Sequence, residues 1–356
     1  MNFERTIFLT GFPGFIAERL VERLAAPERQ ILLLVQPQFV EKSIRSIEEI
    51  AERTNVPAEN FALIEGDITQ PELYMSVEDA DLVRRTTTDV FHLAAIYDLA
   101  VEKEPARRVN LAGTRNVNVL VASMPNLVRY NYVSTCYVAG KREGRIREEE
   151  LEHDAGFRNN YEESKYLAEM EVERLKARLP VTIFRPSVVV GDSKTGETAK
   201  YDGIYYLIQY LRKAPGLLRL VNVGNTEVRL NLVPVDFVVE AITALAFDPA
   251  AEGKTIALAD PAPLSTKELF DVIAVNMTGK RSAIAPPPVV VERFLLLPFS
   301  PPLTGLPNSG VPYFFISQTY STEIASELLE KHDIKCPSFR DYAANLLKFV
   351  EKHPEL

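Results

Sequence analysis

A glycine-rich turn directly behind an apolar run constrains this chain more than any other feature. Thr6-Ile7-Phe8-Leu9-Thr10 leads into Gly11-Phe12-Pro13-Gly14-Phe15-Ile16-Ala17, and a charged, helix-forming segment follows. Glycine at the first and fourth positions lets the backbone turn tightly and approach a ligand, and alanine at the seventh permits close packing of helix on strand. A helix start offers unpaired N–H groups and a partial positive charge, which suit a pyrophosphate. A lone glycine pattern is weak evidence. With a strand before it and a helix after it, this one has the context a dinucleotide site requires. Pro13 removes one N–H from the turn, and with it one contact to a phosphate.

The same strand-then-helix rhythm continues through the first half. Short apolar runs recur at 7–10, 31–35, 61–64, 90–94, 128–133 and 181–184, separated by segments with charged faces at 18–24, 40–53, 78–85, 107–122 and 161–179. Buried runs alternating with amphipathic helices predict an α/β fold with a doubly wound parallel Rossmann sheet. Beyond residue 190 the pattern loosens. An aromatic helix is expected at 203–212, with Tyr205, Tyr206 and Tyr210 on it. A strand end turning into a helix is expected at 232–247. A further helix at 264–276 has Ser265 as its cap and Glu268 at the third helical position. The division that follows is an NAD(P)-binding domain at 1–190 to which 225–250 returns. Residues 191–224 and 251–356 then form a smaller, discontinuous C-terminal substrate-binding region. Proline-rich 285–317 reads as a helix packed on that region, with a lid for a long substrate or peripheral membrane contact through 289–299 as alternatives.

Composition narrows the classes of function. A net charge of −9 argues against a nucleic-acid binder, because phosphate binding needs clustered positive charge. The two cysteines, Cys136 and Cys336, lack metal-type spacing, so no metal site is expected. No apolar stretch reaches the roughly 18 residues of a spanning helix, and the first residues lack a signal-peptide layout; a cytoplasmic location is the expectation.

Cofactor contacts are expected from Thr10, Gly11, Phe12 and Pro13, then Gly14, Phe15 and Ile16. The end of the second strand, Val35-Gln36-Pro37-Gln38, has no carboxylate to bond a ribose hydroxyl. That absence favours NADP(H) over NAD(H), with Gln36 at the ribose and Lys42 or Arg45 as the nearest cations. Asp67 is either an adenine contact or a turn cap. Ala94 and Ala95 leave room for a ligand at a strand's C-terminal end, and His92 reads as a packed strand residue.

Tyr161 and Lys165 lie four apart and so share one helical face. A nearby ammonium favours the phenolate, and a tuned phenol is a proton donor for a carbonyl that receives hydride. By chance such pairs are common. Placed in the helix after a strand that ends in Ser134-Thr135, this one reads as catalytic.

With the glycine turn, Ser134-Thr135 and Tyr161-x-x-x-Lys165 in place, the chain resembles the extended short-chain dehydrogenase/reductase family over nearly its whole length, including Arg185-Pro186-Ser187. Finer segments resemble the thioester and fatty acyl-CoA reductase branch: His92-Leu93-Ala94-Ala95, Val109-Asn110-Leu111-Ala112-Gly113-Thr114 and Val233-Pro234-Val235-Asp236-Phe237-Val238. The resemblance implies Tyr161 as proton donor, Lys165 as its partner, Thr135 as the hydroxyl that orients the carbonyl and Asn110 in the relay region. Ile68, Pro186 and Val188 join the expected cofactor wall. The implied substrate is a carbonyl compound or an acyl thioester with an apolar tail, arriving as a free coenzyme A ester or on a carrier protein. A homodimer through 104–122 and 161–178 is also implied. A nucleotide-sugar epimerase or dehydratase, with Arg212, Lys213, Arg219 and Arg229 as basic lining, a hydroxysteroid or ketone reductase, and a non-catalytic dinucleotide sensor stand as alternatives.

Overall fold

The computed structural model describes residues 3–213, 221–282, 284–297, 300 and 311–355. Arg219 and parts of the 285–317 segment (298, 299 and 301–310) therefore lie outside the described residues. Seven parallel strands make the central sheet: β1 (Arg5–Thr10), β2 (Arg29–Val35), β3 (Phe61–Glu65), β4 (Asp89–His92), β5 (Arg129–Val133), β7 (Val181–Pro186) and β10 (Thr255–Leu258). Their order is β10-β7-β5-β4-β1-β2-β3. Two small parallel pairs accompany them, β6 (Gly144–Ile146) with β11 (Gln318–Tyr320) and β8 (Val188–Val190) with β9 (Leu232–Pro234).

Alternation along the strands sorts the core into two layers. Ile7, Leu9, Ile31 and Leu33 pack on α1 (Phe15–Leu24), α2 (Val40–Thr54), α8 (Val235–Ala246) and α11 (Glu323–Glu330). Phe8, Leu32, Leu34 and Val90 face α3 (Val77–Thr86), α5 (Thr114–Ala122) and α6 (Asn160–Glu173) instead. Helices on both faces are what strands buried on both sides require. Between α4 (Lys103–Ala106) and α5 runs a π-helical segment, Arg107–Gly113.

The C-terminal region has its own core. Ile204, Ile208 and Leu211 of α7 (Ile204–Lys213) pack with Phe270 and Ile273 of α9 (Thr266–Thr278), and with Tyr342 and Leu346 of α12 (Phe339–Lys352). Ser265 and Glu268 form the expected reciprocal cap of α9. In α10 (Pro288–Leu295), Val291 and Leu295 are buried against Val311, while Val289 and Val290 are exposed. Among the described residues no helix is long and apolar enough to cross a membrane.

One boundary differs from the sequence reading. Residues 255–258, assigned to the substrate region, form the seventh strand, and α11 packs on β10 and α8. Thr255-Ile256-Ala257-Leu258 is too short a run to announce a sheet strand by itself; its partner Ile183-Phe184-Arg185-Pro186 is far away in sequence.

Candidate active site

Strand order reverses between β1 and β4, and open α/β sheets bind ligands at the carboxyl ends of strands beside such a switch. Thr10 pairs with His92 there, which sets the glycine turn against the Leu93-Ala94-Ala95 segment. Gly11 has φ of +98°, and a Cβ on it would come within 2.8 Å of the Ala94 nitrogen and 2.9 Å of the Leu93 carbonyl carbon. Gly14 N–H donates to the Gly11 carbonyl at 2.9 Å, and a Cβ on Gly14 would lie 2.7 Å from that oxygen. Only glycine satisfies both positions. Gly14 then starts α1 with no side chain over its first N–H groups, at Phe15 and Ile16. Phe12 and Pro13 are buried, joined by a cis peptide, and Lys42 Nζ reaches the Pro13 carbonyl at 3.4 Å. An uncapped helix start behind a turn that excludes side chains fits a dinucleotide.

Around the cradle, Gln36 accepts a hydrogen bond from Gln38 at 2.9 Å. The Asp67 carboxylate accepts from Thr69 N–H at 2.8 Å, so it caps its own turn. Ile68 presses on Gly113, where a Cβ would meet it at 2.7 Å. Ala94 is half-buried and Ala95 exposed, while Pro186 and Val188 are buried where β7 passes into β8.

Helix α6, which carries Tyr161 and Lys165, begins at Asn159, whose side chain accepts from Glu162 N–H at 3.0 Å. Tyr161, Ser164, Lys165, Ala168 and Glu169 are all buried, so the face they share is turned to the sheet. At the end of β5 the Thr135 hydroxyl accepts from Tyr137 N–H at 3.2 Å and bonds the Tyr161 phenol. Its lone pair thus serves the backbone and its proton serves the phenol oxygen, which leaves the phenol's own proton to give away. Burial pushes the Tyr161 pKa up, and the bond from Thr135 opposes that shift.

Here the site corrects an expectation. The four-residue spacing predicts that Lys165 lowers the phenol's pKa. Instead its ammonium points into the sheet and donates to Tyr132 Oη at 3.1 Å and the Val133 carbonyl at 2.9 Å. Burial pulls Lys165 down to about 8, with Glu169 opposing. A lysine depressed from 10.5 has a testable signature. Below pH 8 the proton is held in folded and unfolded chains alike. As pH climbs from about 8 toward 10.5 only the folded chain has shed it, so stability rises across that window. Thermal unfolding measured over this range should show the rise, and Lys165→Met should remove it.

Asn110, in the π-helical segment, is committed to local structure. Its Oδ1 accepts from Ile96 N–H at 2.8 Å, and its Nδ2 donates to the Ile96 carbonyl at 3.2 Å and to Ser164 Oγ at 3.0 Å. It clips the loop after β4 to α6. The Ser134-Thr135 pair divides its work. Ser134 Oγ donates to the fully buried Glu169, which also receives Arg185 Nε at 2.8 Å. Arg185 continues to the carbonyls of Glu148 at 2.9 Å and Glu150 at 3.1 Å. Ser134 holds the helix, while Thr135 bonds the Tyr161 phenol.

Beside the phenol lies a cavity of about 70 Å³. The Tyr97 ring meets Tyr161 edge-on at 5.3 Å and forms its near wall. Tyr137, Val188, Leu230, Tyr313 and Phe314 add to the lining, as does Tyr206 from the aromatic helix. Lys200 and Asp202 pair at 3.4 Å in the same wall. Sequence reasoning missed Tyr97, Lys200 and Asp202. Only Tyr97 carried a usable signal, as an aromatic just past a strand's C-terminal end. Arg229 donates to the Pro263 carbonyl at 2.7 Å and, like Arg212, does not line the cavity.

Known proteins share this arrangement of sequence and fold. The family described as male sterility protein matches residues 9–242. The fatty acyl-CoA reductase wat of Drosophila melanogaster is 26% identical over 284 residues, covering 69% of this chain and 55% of its own length. Fatty acyl-CoA reductase 1 of Mus musculus is 27% identical over 283 residues, 68% of this chain and 54% of its own. The chain thus spans about half the length of these two reductases. Among solved structures, the terminal R domain from the myxalamid PKS-NRPS biosynthetic pathway shares the fold with a TM-score of 0.82 at 24% identity, covering 99% of this chain and 92% of that one. The chain belongs to the male sterility protein family, in the thioester and fatty acyl-CoA reductase branch of the extended short-chain dehydrogenases/reductases.

Proposed function

We propose that this chain reduces a carbonyl compound or an acyl thioester with an apolar acyl group, using NADP(H). The observation that carries the reading is the buried Thr135–Tyr161 hydroxyl pair, with the Tyr161 ring against Tyr97 of the cavity wall. Reduction of a carbonyl puts negative charge on oxygen, and a donor placed where that charge develops lowers the barrier. Tyr161 delivers the proton to that oxygen. Thr135 holds the phenol oxygen by its own O–H, and Lys165 sets a positive charge on the same helical face. When bound, the nicotinamide cofactor supplies the hydride. For a thioester, hydride and proton add across the carbonyl, the C–S bond then breaks, and an aldehyde and a free thiol leave.

Gly11, Gly14, Phe15 and Ile16 would hold the pyrophosphate by backbone groups. Thr10, Phe12, Pro13, Ala94, Ala95, Pro186 and Val188 would wall the cofactor, with Asp67 and Ile68 near its adenine end. Lys42, drawn to the turn by the Pro13 carbonyl, supports a 2′-phosphate near Gln36 and so NADP(H). The position of Arg229 away from the cavity weighs against a sugar nucleotide. The test is direct: purified chain, NADPH or NADH, and a panel of acyl-CoA esters, ketones and aldehydes, followed by loss of absorbance at 340 nm and by thiol release. Faster turnover with NADPH and thiol release in step with its oxidation are expected. Tight cofactor binding without turnover of any member would overturn the reading.

A further inference from the structure

Tyr132 takes no part in the chemistry described so far, yet it is completely buried on β5 with its hydroxyl against the Lys165 ammonium. A tyrosine this deep needs a partner for its oxygen and another for its proton. Lys165 donates to the oxygen at 3.1 Å. The Thr114 hydroxyl is the phenol's hydrogen-bonding neighbour on the other side. Thr114 in turn donates its own proton to the Asn110 carbonyl at 2.6 Å.

His92 completes the network from the opposite side. Its Nε2 lies 3.1 Å from Thr114 Oγ1, whose proton is already committed, so Nε2 must carry the hydrogen. Nδ1 is then an acceptor, and Thr10 Oγ1 donates to it at 2.7 Å. Thr10 Oγ1 accepts from Ala94 N–H at 3.2 Å. One polarity runs from Ala94 and Thr10 through His92 to Thr114, which adjoins the phenol that the Lys165 ammonium bonds. Burial holds His92 at about 3 and therefore neutral.

We propose that Tyr132 is the positioning residue of Lys165, fixing the ammonium through an accepted hydrogen bond, with Thr114, His92 and Thr10 tying that phenol to the cofactor strand. The proposal rests on the reductase reading above. Asn110 does not supply this link, because its side-chain amide is spent on Ile96 and Ser164. Tyr132 and the Val133 carbonyl occupy two of the three ammonium hydrogens, which leaves one for a ligand.

The groups around the ammonium define what titration would report. Glu169 on α6 is the charged neighbour, itself bonded by Arg185 of β7 and Ser134. Tyr161 on α6, His92 on β4 and Tyr130 with Tyr132 on β5 stay neutral, held so by burial. α5 contributes the Thr114 hydroxyl. An acceptor facing the charged form favours that form, so losing the Tyr132 oxygen should release the lysine's proton at lower pH.

The experiment compares the full chain with Tyr132→Phe, Thr114→Val and Lys165→Met. In wild type, unfolding stability should begin to rise near pH 8. In Tyr132→Phe that onset should move down by about one pH unit, the scale of one hydrogen bond to a charged group. The alkaline limb of kcat/KM for NADPH should move the same way by the same amount. Thr114→Val, which removes the hydroxyl beside the phenol and leaves Tyr132 in place, should shift both in the same direction and serves if Tyr132→Phe folds poorly. Lys165→Met should show no such rise, alone or combined with Tyr132→Phe. An onset identical in wild type, Tyr132→Phe and Thr114→Val, but abolished by Lys165→Met, would overturn the proposal. Should no substrate turn over, the reductase reading falls by itself, and the unfolding arm still decides whether Tyr132 holds the lysine.

Discussion

Replacing Tyr161 by phenylalanine is expected to lower kcat by about 10²–10⁴-fold, the usual worth of a positioned general acid. Phenylalanine keeps the ring, and with it the edge-on contact with Tyr97 that walls the cavity. What disappears is the hydroxyl that Thr135 bonds and that would meet the substrate oxygen. Thr135 keeps its bond from Tyr137 N–H, so its hydroxyl is left half-partnered, at a cost of about 1 kcal/mol. Stability should therefore fall only slightly while turnover collapses. Cofactor affinity, carried by the glycine turn, should be nearly unchanged. The decisive measurement is steady-state NADPH oxidation with an acyl thioester beside a fluorescence titration of the cofactor. Turnover within a few-fold of wild type would remove Tyr161 from the chemistry.

Arg185→Met should produce the largest loss of stability. Arg185 is the principal charged partner of Glu169, which has no exposure to water and lies on the helix that carries Tyr161 and Lys165. Removing one member of a buried ion pair leaves the other charge uncompensated, at a cost of about 3–5 kcal/mol. The carbonyls of Glu148 and Glu150 lose a donor as well. A fall in Tm on the order of 10 °C follows from that range. Adding Glu169→Gln should recover part of the loss, because a neutral amide can still accept from Ser134 and is cheaper to bury than a bare carboxylate. Equal destabilisation in the single and double variants would show that the arginine matters through packing alone.

These two residues illustrate what the sequence disclosed and what it withheld. Tyr161 was legible because a helix places residues four apart on one face, and the strand ending in Ser134-Thr135 located that helix. Arg185 was visible only as part of a three-residue resemblance; its purpose became clear when β7 brought it against Glu169. The glycine turn was legible for the same local reason as Tyr161, and Gly11 shows why its identity is strict. Lys165 was misjudged in one respect. Helical spacing puts it near Tyr161, but the direction of a long flexible side chain depends on which acceptors lie beneath it, and those are Tyr132 and Val133 of a different element, β5.

By itself the sequence determined the alternation of strands and helices, the two-sided burial of the sheet, the cofactor turn and the pairing of phenol with lysine on one helical face. Each depends on residues a few positions apart, whose relation is set by backbone geometry. Tertiary structure alone decided that 255–258 closes the sheet, and that Tyr97, Asp202 and Tyr313 line one cavity. It also decided that a chain of hydrogen bonds joins Thr10 to Lys165 through three intervening side chains. Those partners are distant in sequence and meet only through packing, so no local pattern could have announced them.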